Sequence, residues 1–167
     1  MPIKPPDSSA QPDATREVLN VLQGCHDLEL VAAQIYQRFA ETHKDIPDIA
    51  ALWRKTAAEE DSHAQQIAFA MRMRKDLVVG TKSDRIKVFE ILAFARAVLI
   101  EVTAKPLSVV DALKKAIELE TRFQTFHLDE VAVFADEGQR QLFRAMQAAD
   151  RAHVSALEKA LARFEGC

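Results

Sequence analysis

Apolar residues return every three or four positions through most of this chain, and no run of any length alternates in the two-residue period of a strand. The breaks in that pattern fall at prolines and glycines. Four of the six prolines lie within residues 1–12, which predicts a flexible tail over 1–13. Pro47 and Pro106, with the few glycines, divide the remainder into stretches rich in Ala, Leu, Glu, Lys, Gln and Arg, all good helix formers. The predicted helices cover roughly 14–43, 47–75, 84–103, 108–135 and 139–164. Ser108 with Asp111 three residues on marks the start of the fourth, and D136-E-G138 a turn before the fifth. Two short turns and one long crossover imply an all-α four-helix bundle with an additional helix in the crossover, formed as a single domain over 14–167.

Each of the four bundle helices has one apolar stripe, and each stripe is interrupted by polar residues near its middle. The first runs Leu22, Cys25, Glu29, Ala32, Tyr36, Phe39, and the second Trp53, Thr56, Glu60, His63, Ile67, Ala70. The third runs Leu113, Ala116, Glu120, Phe123, His127, Phe134. The last runs Phe143, Met146, Asp150, His153, Leu157, Ala160, Phe164. Residues on these stripes face the bundle interior, so four carboxylates and two of the imidazoles are predicted to meet there. A buried carboxylate without a partner costs at least several kcal/mol, and four together repel. No Lys or Arg is predicted at that level of any stripe. Two divalent cations would balance the four negative charges, and imidazole nitrogens would complete their coordination.

A degenerate repeat supports this reading. Leu52-Trp-Arg54, Ala58 and His63 match Leu142-Phe-Arg144, Ala148 and His153 at an offset of 90, with Glu60 opposite Asp150. Glu29 precedes Tyr36 by seven residues, as Glu120 precedes His127. Each half therefore offers one acid on its first helix and acid-x-x-His on its second. Taken singly, the short motifs are weak, since acids are common and five histidines give chance pairings. Glu59 and Asp61 fall off the stripe and read as surface charges. Glu118 and Glu130 read as solvated or rim residues, with Glu130 also on the seam of its helix as a minor ligand candidate, and His26 and His43 as surface or bundle-end residues.

Composition narrows the function without naming it. The 167 residues are 49% hydrophobic and 28% charged, with a net charge of −3, which provides no basic footprint for nucleic acid or a membrane surface. No apolar run approaches a membrane span, and the first residues lack the apolar core of a signal peptide. Two cysteines are too few for a disulfide framework or a Cys-x-x-Cys module, so a cytoplasmic setting is expected.

The Glu, Glu-x-x-His, Glu, Asp-x-x-His constellation resembles the ferritin-like di-iron carboxylate proteins, nearest the rubrerythrin-type helical domain without a rubredoxin module. That resemblance spans about 14–164. It implies that Glu29, Glu60 and His63 mainly serve one metal, and Glu120, Asp150 and His153 the other. Two Fe ions are implied, with Mn or Zn also compatible with the ligands. Tyr36 and His127 would support the centre from just outside it, with His127 alternatively an additional ligand. It further implies an oxidoreductase of ferroxidase or peroxidase type, acting on O2 or H2O2 with a separate electron-donor protein. Three positions depart from the family pattern. Asp150 stands for the usual Glu, His127 for a Tyr, and Phe123 for a further Glu. These leave open the alternative of a metal-holding bundle without turnover. The apolar crossover helix, with V88-F-E-I-L-A-F94 and V98-L-I100, suggests a homodimer.

Overall fold

The first helix begins before Ala14 because a proline in the first helical turn removes only an N–H that has no acceptor there. In the computed structural model, which describes residues 10–72, 78–81, 85–124, 132–134 and 137–166, α1 runs Ala10–Thr42 and includes Pro12. Helix α2, Pro47–Arg72, opens on a proline, whose fixed φ suits a first helical position. The crossover carries α3, Arg85–Ala104. Helix α4, Val109–Gln124, starts at the predicted place. The Asp111 amide donates to Ser108 Oγ, and the Ser108 hydroxyl donates back to the Asp111 carboxylate, a reciprocal cap. Helix α5 is Glu137–Glu165, so Gly138 falls inside its first turn rather than in the turn before it.

Two expectations need correction. The fourth predicted helix does not continue to 135. It ends at Gln124, and Ala132–Phe134 forms a short strand, β2, antiparallel to β1, Val78–Thr81. Val78 pairs with Phe134 and Thr81 with Ala132, with an irregularity between Val78 and Gly80. Phe134 therefore leaves the stripe assigned to it. Segments of four and three residues are too short to show a period, and their pairing joins places about fifty residues apart. His127 and Glu130 lie outside the described residues.

Helix α1 packs on α2 across the turn at 43–46 and also on α3, while α4 packs on α5. Among the described side chains, the predicted stripes are the core. Leu22, Ala32, Tyr36, Phe39, Trp53, Ile67, Leu113, Ala116 and Leu157 are all buried. Trp53 stacks on Tyr36 with ring centroids 5.8 Å apart and packs against Phe39 at 5.0 Å. At the bundle end, buried His43 contacts the Leu107 carbonyl through Nε2 at 3.1 Å, tying α1 to the approach of α4.

Gly24 sets how closely the crossover helix lies on α1. A Cβ there would sit 2.6 Å from Cγ1 of Val88, which is itself fully buried and β-branched. Glycine normally weakens a helix interior by about 1 kcal/mol relative to alanine, so an uncrowded site would gain from the replacement. Here the clash should dominate. Gly24→Ala is expected to destabilise by roughly 1–3 kcal/mol, seen as a lower denaturant midpoint. A raised midpoint would show that α3 can move away freely.

Candidate metal centre

The spacing of three residues places Glu60 and His63 on one face of α2, and Asp150 and His153 on one face of α5. Helices α1 and α4 bring in Glu29 and Glu120. The structure draws these six side chains together in mid-bundle. Glu60 and Glu120 are each 1% exposed, and His63 and His153 each 5%. Glu29 and Asp150 are partly open, at 13% and 21% of their side-chain surface.

Glu60 is the centre of the arrangement. One of its oxygens lies 3.3 Å from His63 Nδ1 and the other 3.0 Å from His153 Nδ1. His63 Nδ1 is also 3.7 Å from Glu29 Oε2 and 3.7 Å from Asp150 Oδ1. His153 Nδ1 is 3.9 Å from Glu120 Oε1. Two groups of donor atoms follow, Glu29–Glu60–His63 and Glu60–Asp150–His153, with the atoms of each group within 4.8 Å of one another. Glu60 is common to both. Glu120 belongs to neither group. It approaches His153 and accepts a hydrogen bond from the Tyr36 hydroxyl.

Several of these buried atoms approach closely without being aligned for hydrogen bonds. Glu60 Oε1, His63 Nδ1, Glu120 Oε2 and His153 Nδ1 have no hydrogen-bond partner. Buried polar atoms are rarely left so. All four atoms belong to the cluster around Glu60. Oxygen and imidazole nitrogen are the donors that divalent Fe, Mn or Zn accept, so the residues present fit a metal centre.

Protons take part of that role in the metal-free site. Burial pushes Glu120 up to about 8 and Asp150 to about 6, and the charge of Glu60 pushes the same way. Burial and Glu60 also hold Glu29 well above the usual carboxylate range. Burial opposes the charged imidazoles but loses to the carboxylates, which raise His63 to about 11 and His153 to about 9. Burial likewise works against ionised Glu60, yet the two histidines keep it below the usual range. The charged carboxylate of Glu60 and the charged forms of the two imidazoles thus favour one another. Tyr36, buried and beside Glu120, is held well above its ordinary value and keeps its proton.

A cavity of about 20 Å³ opens beside Glu29 and Asp150 and is also lined by Cys25, Phe123 and Met146. That volume admits something the size of one water molecule. Phe123 supplies an apolar wall there.

Glu59 departs from its reading as a surface charge. Its Oε2 lies 2.9 Å from Nε2 of His153, across α2 and α5. Glu59 is off the apolar stripe of its own helix, so periodicity gave no signal for it. Which neighbouring helix it faces decides its role. Glu118 is half-buried and paired with Arg122, as its rim reading implied.

The family model for Rubrerythrin matches residues 20–161. Among curated proteins and solved structures, none matches.

The shifts fix the sign of the pH response. Raised carboxyls and imidazoles bind protons that the unfolded chain has released, so they favour folding at low pH and lose that contribution as pH rises. Glu60 acts oppositely, losing its contribution as pH falls below about 4.5. Metal-free protein should therefore melt at its highest temperature near pH ~4 and distinctly lower at pH ~9. Metal uptake should release protons and tighten from pH ~6 to ~9. Calorimetric melts and Zn titrations across that range check both, and a melting temperature that rises steadily to pH 9 would contradict the assignment.

Proposed function

The chain belongs to the rubrerythrin family, and from that premise we propose that it is a dinuclear-metal oxidoreductase reacting with O2 or H2O2, of ferroxidase or peroxidase type. The observation that carries the reading is Glu60, whose two oxygens address two imidazoles while the same residue is common to both donor groups. Glu29, Glu60 and His63 would hold one metal. Asp150 and His153, with Glu60 and with Glu120 close by, would hold the other. Iron is the proposed metal. When bound, the pair would supply one-electron redox capacity for reducing a small oxidant.

The chain's own residues supply the surroundings. Tyr36 donates to Glu120 and anchors that carboxylate from α1. Trp53 stacks on Tyr36, and both rings are fully buried. The cavity beside Glu29 and Asp150 restricts approach to a very small molecule. Cytoplasmic location and a separate electron-donor protein belong to the same proposal. Among the described residues no helix is long and apolar enough to cross a membrane.

A second reading, metal holding without turnover, draws on two observations. Asp150 is the most exposed of the six side chains drawn together at the centre, and it is one methylene shorter than Glu. Phe123 lines the cavity where the family pattern has another acid.

Anaerobic loading with Fe(II), followed by elemental analysis, separates these readings. About two Fe per chain are expected, and clearly fewer in Glu60→Ala. Exposure of loaded protein to O2 or H2O2 should then give an absorbance change. Full loading without any such change would sink the oxidoreductase proposal and leave the metal-holding one. Absence of iron uptake would end both.

A homodimer through the outer face of α3 is also proposed. Phe89 and Ile100 are 46% and 71% exposed there, an unusual cost for a helix otherwise packed on α1. Sedimentation equilibrium should give a dimer that Phe89→Lys with Ile100→Lys converts to monomer. Monomeric wild-type protein would refute it.

A further inference from the structure

Resting on the metal-centre reading, we propose that Glu59 is a positioning residue for His153 and makes the two metal positions unequal. A carboxylate can only accept, so the 2.9 Å contact requires His153 to carry its proton on Nε2. In the neutral ring Nδ1 is then the lone-pair nitrogen. That nitrogen is the one 3.0 Å from Glu60 Oε1 and 3.9 Å from Glu120 Oε1, without a hydrogen bond of its own. Glu59 thus selects the tautomer able to ligate and fixes the plane of the ring. Its negative charge also makes the imidazole a stronger donor.

The geometry is built across the bundle rather than along one helix. Glu59 sits on α2 beside Glu60, and its partner lies 94 residues away on α5. Its other oxygen lies 3.6 Å from Lys55 Nζ, one turn back on the outer side of α2. The carboxylate therefore spans from solvent to the outer edge of the centre. The repeat does not reproduce this device. At the offset of 90 the counterpart of Glu59 is Ala149, which has no acceptor to offer His63. His153 is thus the reinforced imidazole, and it stands in the half whose acid is the shorter Asp150.

The test is an anaerobic titration with Co(II) alone, followed by visible absorbance and by calorimetry. Wild-type protein should bind in two resolved steps. Glu59→Ala should weaken one step by about 10–100-fold and leave the other unchanged. Glu59→Gln, whose amide oxygen still accepts from Nε2, should fall between the two. In a His153→Ala background, Glu59→Ala should have no further effect, because the two substitutions act through one imidazole. Far-UV circular dichroism of each variant checks that the helices remain. An unchanged Glu59→Ala isotherm, equal loss in both steps, a Gln variant no better than Ala, or a further loss in the His153→Ala background would each overturn the assignment. Wild-type protein that takes up no Co(II) would overturn the metal-centre reading as well. Normal two-step uptake by both wild type and Glu59→Ala would remove this inference alone.

Discussion

A single buried anion organises this bundle. Glu60 has almost no solvent contact, yet the imidazole facing each of its oxygens holds its carboxyl below the usual range and favours the charged form. Removing a carboxylate from water costs several kcal/mol unless charge and hydrogen bonds compensate. The compensation comes from two helices, α2 through His63 and α5 through His153, so the two hairpins meet at this group. The other three carboxyls adapt to it. Burial and repulsion from Glu60 hold Glu29, Glu120 and Asp150 towards their neutral forms. These are the groups that would give up protons if a metal bound as the proposed function requires.

Aromatic packing and a glycine contact hold that cluster in position. Trp53 stacks on Tyr36, and Tyr36 reaches Glu120 through its hydroxyl, so an apolar contact on α1 and α2 fixes a carboxylate on α4. Gly24 lets the crossover helix lie directly on α1 through Val88, closing the side of the bundle near Cys25. These contacts are apolar and close-packed, which keeps the local dielectric low and strengthens each charge interaction at the centre.

The two halves are alike in plan and unlike in detail. Glu60 and Asp150 occupy matching positions, but only Glu60 belongs to both donor groups. Tyr36 sits seven residues after Glu29 and bonds across to Glu120, the corresponding acid of the other half. Glu59 supports His153, whereas the repeat gives His63 only Ala149. On the proposed function, a duplicated scaffold with unequal supports would give two metal positions of different strength.

Much of this was written in periodicity. The positions of Trp53, Ile67, Leu113 and Leu157 at helical spacing determined which faces turn inward, because burial of an apolar stripe leaves each helix one orientation. The same spacing carried Glu29, Glu60, His63, Glu120, Asp150 and His153 into the interior as members of those stripes. Tertiary structure alone decided three further things. It ended α4 at Gln124 and paired Ala132–Phe134 with Val78–Thr81, since strand pairing depends on a distant segment rather than on a local pattern. It made Glu60 the shared carboxylate, which depends on how far α5 lies from α2. It turned Glu59 from a surface charge into the partner of His153. A helical wheel gives a side chain's direction around its own axis, and only the packed bundle determines which group stands opposite.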